Sequence, residues 1–186
     1  MVSQKSTLKT EAVFSDDGKH RFLLHKEWDK TKKSALVIMK NPSQANIVKL
    51  DATTMYVINN LLEMDYGAVY IANLFSVMTD KLRFWNKMPE DLVVPENDAY
   101  IQKSAEKADI IILAWGIVAE NNRKVQVRKQ EILELLQAHQ DKFFSIRDSY
   151  GHKRLHPLSP YVRYEWILEK FCEEEGEETN DNTKKS

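Results

Sequence analysis

Four short apolar runs, set apart by amphipathic or polar stretches, constrain this chain more than any other feature. They are residues 34–40 (SALVIMK), 68–73 (AVYIAN), 109–115 (DIIILAW) and 142–147 (KFFSIR). Each has strand length, and the near-continuous apolar character predicts strands buried on both faces. Between them lie segments with helical signals. Residues 51–66 place Met55, Ile58, Leu61 and Leu62 on one stripe, with Gly67 where a helix stop is expected. Pro95 opens PENDAYIQKSAEKA with proline in a first helical turn, and residues 118–137 turn Val125, Ile132, Leu133, Leu135 and Leu136 inward. Residues 161–171 (YVRYEWILEKF) read as a last helix. Strand alternating with helix implies an α/β fold of three layers, α/β/α, around a central four-stranded parallel sheet. Ahead of it, the alternating segments 9–15 and 20–28 flank Asp16-Asp17-Gly18 and predict an N-terminal hairpin.

Composition excludes several classes. A chain of 186 residues, 42% hydrophobic and 30% charged, suits one globular domain over residues 1–172. No apolar run nears the roughly 20 residues that span a bilayer, and no secretory signal is read at the N-terminus. Cys172 is the single cysteine, which excludes an intrachain disulfide and a cysteine-based zinc site and suits a reducing cytoplasm. No metal or cofactor is expected. The net charge of -1 divides into +3 on residues 1–172 and -4 on residues 173–186, a tail of six acids and two lysines read as disordered. A body at +3 is no electrostatic clamp for DNA, so nucleic-acid affinity would have to come from a local site.

Parallel sheets bind ligands beyond the carboxyl ends of their strands. The predicted strand ends carry Lys40-Asn41-Pro42-Ser43, Asn73-Leu74-Phe75-Ser76 and Trp115-Gly116, and past the fourth come His156-Pro157-Leu158-Ser159-Pro160. Amide, imidazole and hydroxyl groups would converge there. Plain roles compete for each: turn chemistry for Asn41-Pro42-Ser43, a cap for Asn73, a satisfied core histidine for His156, packing for Trp115-Gly116, and a first-turn role for Asn97 and Asp98.

Taken together these pieces resemble the uracil-DNA glycosylase superfamily over about residues 34–171. Met39-Lys40-Asn41-Pro42-Ser43 is similar to its GINPG motif, Tyr70-Ile71-Ala72-Asn73 to LLLN, Leu113-Ala114-Trp115-Gly116 to LLWG, and residues 156–160 to HPSPLS. The same set also resembles a bacterial and phage domain family with no assigned activity. The first resemblance implies that Asn41 positions water and that His156 stabilises the departing base. It further implies base contacts from Asn73, Pro42, Ser43 and Tyr56, and DNA contacts from Leu158, Ser159, Lys153 and Arg154. A neutral histidine donating to a developing oxyanion, and an amide reading a pyrimidine edge, are the chemistry those residue types supply. The chain departs from the pattern at Lys40, where a small residue is wanted, at Asn41, which is no carboxylate base, and at Thr54, where a stacking phenylalanine is wanted. The wedge leucine aligns with Pro160, and Ser43 stands where one motif form carries a blocking tyrosine.

The expected function is therefore a base-binding pseudo-enzyme with weak or no uracil excision, engaging DNA or a small DNA-mimicking inhibitor protein. The alternatives are an active N-glycosylase and an unrelated flavodoxin-like nucleotide-binding domain. The last lacks a Gly-rich phosphate loop among only five glycines.

Overall fold

The structure, a computed structural model, describes residues 2–43, 45–78, 92–117 and 122–172. The acidic tail and the first residues of the segment expected as a helix from 118 lie outside them. Elements run β1 (Lys9–Phe14), β2 (Arg21–Glu27), β3 (Lys33–Met39), α1 (Ala52–Glu63), β4 (Tyr66–Asn73), α2 (Pro95–Lys107), β5 (Ile110–Leu113), α3 (Arg123–Leu135), β6 (Phe143–Arg147) and β7 (Ile167–Lys170). A 3-10 segment, Gln137–Lys142, links α3 to β6.

Among the described residues the strands form one mixed seven-stranded sheet in the order β1-β2-β4-β3-β5-β6-β7. Its middle, β4-β3-β5-β6, is parallel, while β2 joins β4 and β7 joins β6 antiparallel. The expectation of a four-stranded parallel sheet preceded by a separate hairpin is corrected accordingly. Leu24 pairs with Ile71, so the hairpin extends the sheet itself. Leu24 and Ile71 are fully buried, and leaving such a strand unpaired would strand its backbone groups away from water.

The two sheet faces are covered by different elements. Leu36, Ile38 and Ile111 pack with Ile101 and Ala105 of α2 and with Val125 and Ile132 of α3. Ala35, Val37 and Ile112 pack on the other side with Val57 and Leu61 of α1 and with Val162 and Trp166. Each fully buried aliphatic side chain contributes roughly 1.5–3 kcal/mol, so both layers hold the sheet firmly.

Three local expectations change. The buried stripe of α1 is Thr53, Thr54, Val57, Asn60 and Leu61, whereas Met55 and Leu62 are exposed. The inward polar groups are satisfied, since Asn60 Nδ2 donates to Tyr56 O at 2.8 Å and Arg163 O at 3.0 Å. The stop after α1 is made by Asp65 at φ 64°, and Gly67 lies inside β4. A Cβ at Gly67 would sit 1.9 Å from Asp29 O, so close approach of the 28–32 turn requires glycine there. Finally, residues 161–171 form turns and then β7, not a helix. Val162 and Trp166 are both buried at a helix-like spacing of four, but the β6 edge offers Ile167–Lys170 a ladder that a lone helix end would forgo.

Candidate functional site

The connections from β3 and β5 leave in opposite directions along the sheet, β3 to β4 and β5 to β6. A crevice is expected outside the carboxyl ends of those two neighbours. One is found there, a cleft of about 640 Å³ between residues 39–43 after β3, residues 115–117 after β5 and residues 155–160 after β6, with Thr53 of α1 at its side. The strand ends stay zipped at its base. Ala114 N donates to Ile38 O at 2.8 Å, Leu74 N to Met39 O at 2.8 Å and Phe75 N to Lys40 O at 3.0 Å.

His156 reaches the cleft by a short return. Leu155 N donates to Ile146 O at 2.9 Å, folding the loop back over the end of β6, and Ser159 N donates to His156 O at 2.8 Å, starting the next turn. Gly116 admits this loop. It has φ +77°, and a Cβ there would lie 3.0 Å from the His156 Cβ. The His156 Nδ1 accepts a hydrogen bond from Leu158 N at 3.1 Å. A ring nitrogen that accepts carries no proton, so the neutral tautomer has its hydrogen on Nε2. Burial, with help from the Lys40 charge and against that of Asp51, lowers the imidazole pKa to about 4. His156 is thus a neutral donor at physiological pH.

Asn41, Pro42 and Ser43 also line the cleft. Their loop is fixed from beneath by two buried cations. Arg21 Nη1 donates to Ala45 O at 2.7 Å and to Ser43 O at 3.4 Å, and Lys26 Nζ donates to Ile47 O at 3.1 Å. Burial lowers the Arg21 pKa to about 10, opposed by Asp51. Asp51 caps α1 by accepting from Thr54 N at 2.7 Å. Burial alone would raise its carboxyl, but hydrogen bonds from Ser43 and Thr54 and the charge of Arg21 bring it below the usual carboxylate range. These positions were not singled out from sequence. An aspartate before a helix is a cap signal that would have found Asp51, whereas a buried arginine in a strand carries none.

Among the sequence-predicted residues, the cleft brings together Asn41, Pro42, Ser43, His156, Leu158 and Ser159. Asn73 is not among its lining residues. It is fully buried in register with Met39, which does line the cleft, and neither amide atom of Asn73 has a hydrogen-bond partner. Its carbonyl accepts from Asn97 Nδ2 at 3.0 Å, and the next carbonyl, Leu74 O, accepts from Arg128 Nε at 2.9 Å. Arg128 in turn pairs with Asp98 and, at 2.9 Å, with Glu131. Asn97 and Asp98 therefore anchor the end of β4 rather than line the mouth. Tyr56 packs edge-on against Tyr164 outside the cleft. Lys153 pairs with Glu169 at 3.2 Å, and Arg154 lies over the Phe171 ring.

Chemically the cleft is lined by an amide, three hydroxyls, an ammonium and a neutral imidazole, against walls that include Met39, Trp115 and Ile117. Its described lining contains no carboxylate. No group of three metal-ligating side chains occurs among the described residues, and no helix among them is long and apolar enough to cross a membrane.

The sequence matches a family described as "Protein of unknown function (DUF1643)" over residues 21–158. The chain belongs to this family. The DUF1643 match runs from the first residue of β2 into the His156 loop, so all the lining residues of the cleft except Ser159 and Pro160 fall within it. No curated protein and no solved structure matches the chain.

Proposed function

We propose that this DUF1643 protein is a uracil-DNA-glycosylase-like, nucleobase-binding protein whose catalytic set is degenerate, with weak or no excision of uracil from DNA. One observation carries the reading: Asn41 and His156, distant in sequence, face one cleft at the strand ends, with the imidazole N–H left as a neutral donor. An amide and a neutral imidazole lining one cleft can hold the polar edge of a flat base, while Met39, Trp115 and Ile117 supply apolar contact. The expected macromolecular partner is DNA carrying an accessible base.

The loss of chemistry follows from the same cleft. Breaking an N-glycosidic bond requires a water held against the anomeric carbon and relief of the positive charge that grows there. Lys40 puts a cation in the cleft, which repels that charge, and the nearest carboxylate, Asp51, is engaged by Ser43, Thr54 and Arg21. The stacking aromatic that the resemblance places at the start of α1 is replaced by Thr54, and Tyr56 sits elsewhere.

The test has two arms. Titration of free uracil, thymine and adenine followed by NMR of the His156 ring measures base binding. Incubation with uracil-containing single- and double-stranded oligonucleotides measures excision. Base binding with excision at least about a thousand-fold below an active glycosylase supports the proposal, since a missing preorganised group costs on the order of 10²–10³ in rate. Excision at full rates supports the active reading, in which Asn41 positions the water. Silence of the His156 ring towards every base ends both.

A further inference from the structure

Three tyrosines stand in solvent along the loop that returns from β6. Tyr150 is 86%, Tyr161 59% and Tyr164 83% exposed. Large aromatic rings left in water near a cleft call for a reason, because their apolar area is favourable to bury. These rings sit on ordered supports. Tyr150 N and His152 N each donate to Asp148 Oδ1 at 2.9 Å, and Asp148 Oδ2 lies 2.6 Å from His152 Nδ1. The His152 ring stacks on Tyr161 with centroids 4.3 Å apart and planes 27° apart. Tyr164 is braced edge-on by Tyr56 at 5.8 Å. Between these rings in sequence, residues 158–160 form one wall of the cleft.

The charge of the segment selects the ligand. Residues 149–164 include Lys153, Arg154 and Arg163 and no carboxylate. Arg163 Nε donates to Leu158 O at 3.2 Å, which sets its guanidinium beside the cleft wall. A duplex presents phosphates and hides its base faces, so proteins that grip it need many cations. A single strand presents base faces, which stack on aromatic rings whatever the sequence. Exposed rings with few cations match the second.

We infer that Tyr150, Tyr161 and Tyr164, with His152, form a stacking platform for single-stranded nucleic acid passing the mouth of the cleft. The inference rests on the base-binding reading of that cleft and names the polymer that delivers the base.

Fluorescence anisotropy of the full chain with a labelled oligothymidylate, and with a duplex of equal length, tests it. Tyr150→Ala and Tyr164→Ala should each weaken single-strand binding by roughly ten-fold, whereas the Tyr→Phe versions should bind like the parent, because stacking needs the ring and not the hydroxyl. The duplex should bind at least about ten-fold more weakly. The slope of log affinity against log salt should stay near or below about 2 in magnitude, as three cations at about 0.7 each allow. Single-strand binding that is absent, indifferent to the Tyr→Ala changes, equally lost with phenylalanine, or weaker than duplex binding overturns the platform. The exposed rings carry little of the fold, and circular dichroism of the variants verifies that. Free-base titration at the His156 ring separates the two readings. Bases that bind while the strand ignores the tyrosines sink the platform alone; a strand that needs the tyrosines while no base binds sinks the pocket and leaves the platform standing.

Discussion

The backbone N–H of Leu158 donates to Nδ1 of His156, two residues earlier, at 3.1 Å. This bond fixes the tautomer, and burial then keeps the ring neutral with a pKa lowered to about 4. In the unfolded chain the ring would take up a proton near its ordinary value of 6.5. Between those two values the unfolded state binds more protons than the folded state, so stability falls as pH drops from about 6.5 to about 4 and levels off below. The loss amounts to at most about 3 kcal/mol. His25, whose pKa is also lowered by burial, contributes in the same direction. His156→Gln should shrink the difference in urea-unfolding free energy between pH 7 and pH 4.5 by about 2 kcal/mol. An unchanged difference would show that the ring titrates freely.

Asn73 tests the proposed base-binding reading against stability. Both its amide atoms are buried without a partner, at a cost of roughly 1–3 kcal/mol for an unsatisfied polar group. Asn73→Leu keeps the forked heavy-atom shape and removes the polar atoms, so the variant should gain up to about 1 kcal/mol in chemical denaturation, less what its bulkier methyls cost. If the amide reads a base once Met39 shifts, the same variant should lose nucleobase binding in the NMR titration. A destabilised variant would mean that the amide is satisfied in solution.

Gly116→Ala should disturb the His156 loop. The change places a Cβ in a left-handed backbone and 3.0 Å from the His156 Cβ. A cost of about 1–2 kcal/mol is expected from the backbone alone. The melting temperature should fall, and the His156 ring should titrate closer to 6.5 as its loop lifts from the cleft.

Arg128→Ala should be among the most damaging single changes. It removes the donor to Leu74 O and leaves Asp98 without its cation. Arg128 is buried but Asp98 is 30% exposed, so the expected cost is about 2–3 kcal/mol, mostly from the buried carbonyl left without its donor. Arg128→Lys should recover only part of this, since an ammonium cannot serve a carbonyl and a carboxylate in the forked geometry of a guanidinium.

The parallel strands were legible because burial on both faces writes itself as apolar runs, and 34–40, 68–73, 109–115 and 142–147 each overlap one strand. The gathering of Asn41 and His156 was legible too, because strand ends of a parallel sheet share one rim. What escaped depends on partners. Nothing in ATTMYVINNLLE says that Asn60 is satisfied by Arg163 O, yet this partner helps turn the polar side of α1 inward and leaves Met55 and Leu62 in solvent. Arg21 and Arg128 were silent for the same reason: an arginine reads as surface until the carbonyls it serves are seen. The 161–171 segment was misread because Val162 and Trp166 satisfy a helical spacing that turns followed by a strand also satisfy.

The family match begins at the first residue of β2 and ends before β7, so both outermost ribbons of the sheet, β1 and β7, fall outside it. Those two ribbons shield the inter-strand bonding groups of β2 and β6. A shortened version of this protein cut to the matched residues would keep most of the crevice, losing Ser159 and Pro160, but expose two raw seams, each a template for sticking to another molecule. Self-association of such a trimmed chain would therefore report on missing selvedges, and would say nothing against a pocket that lies at the middle of the sheet.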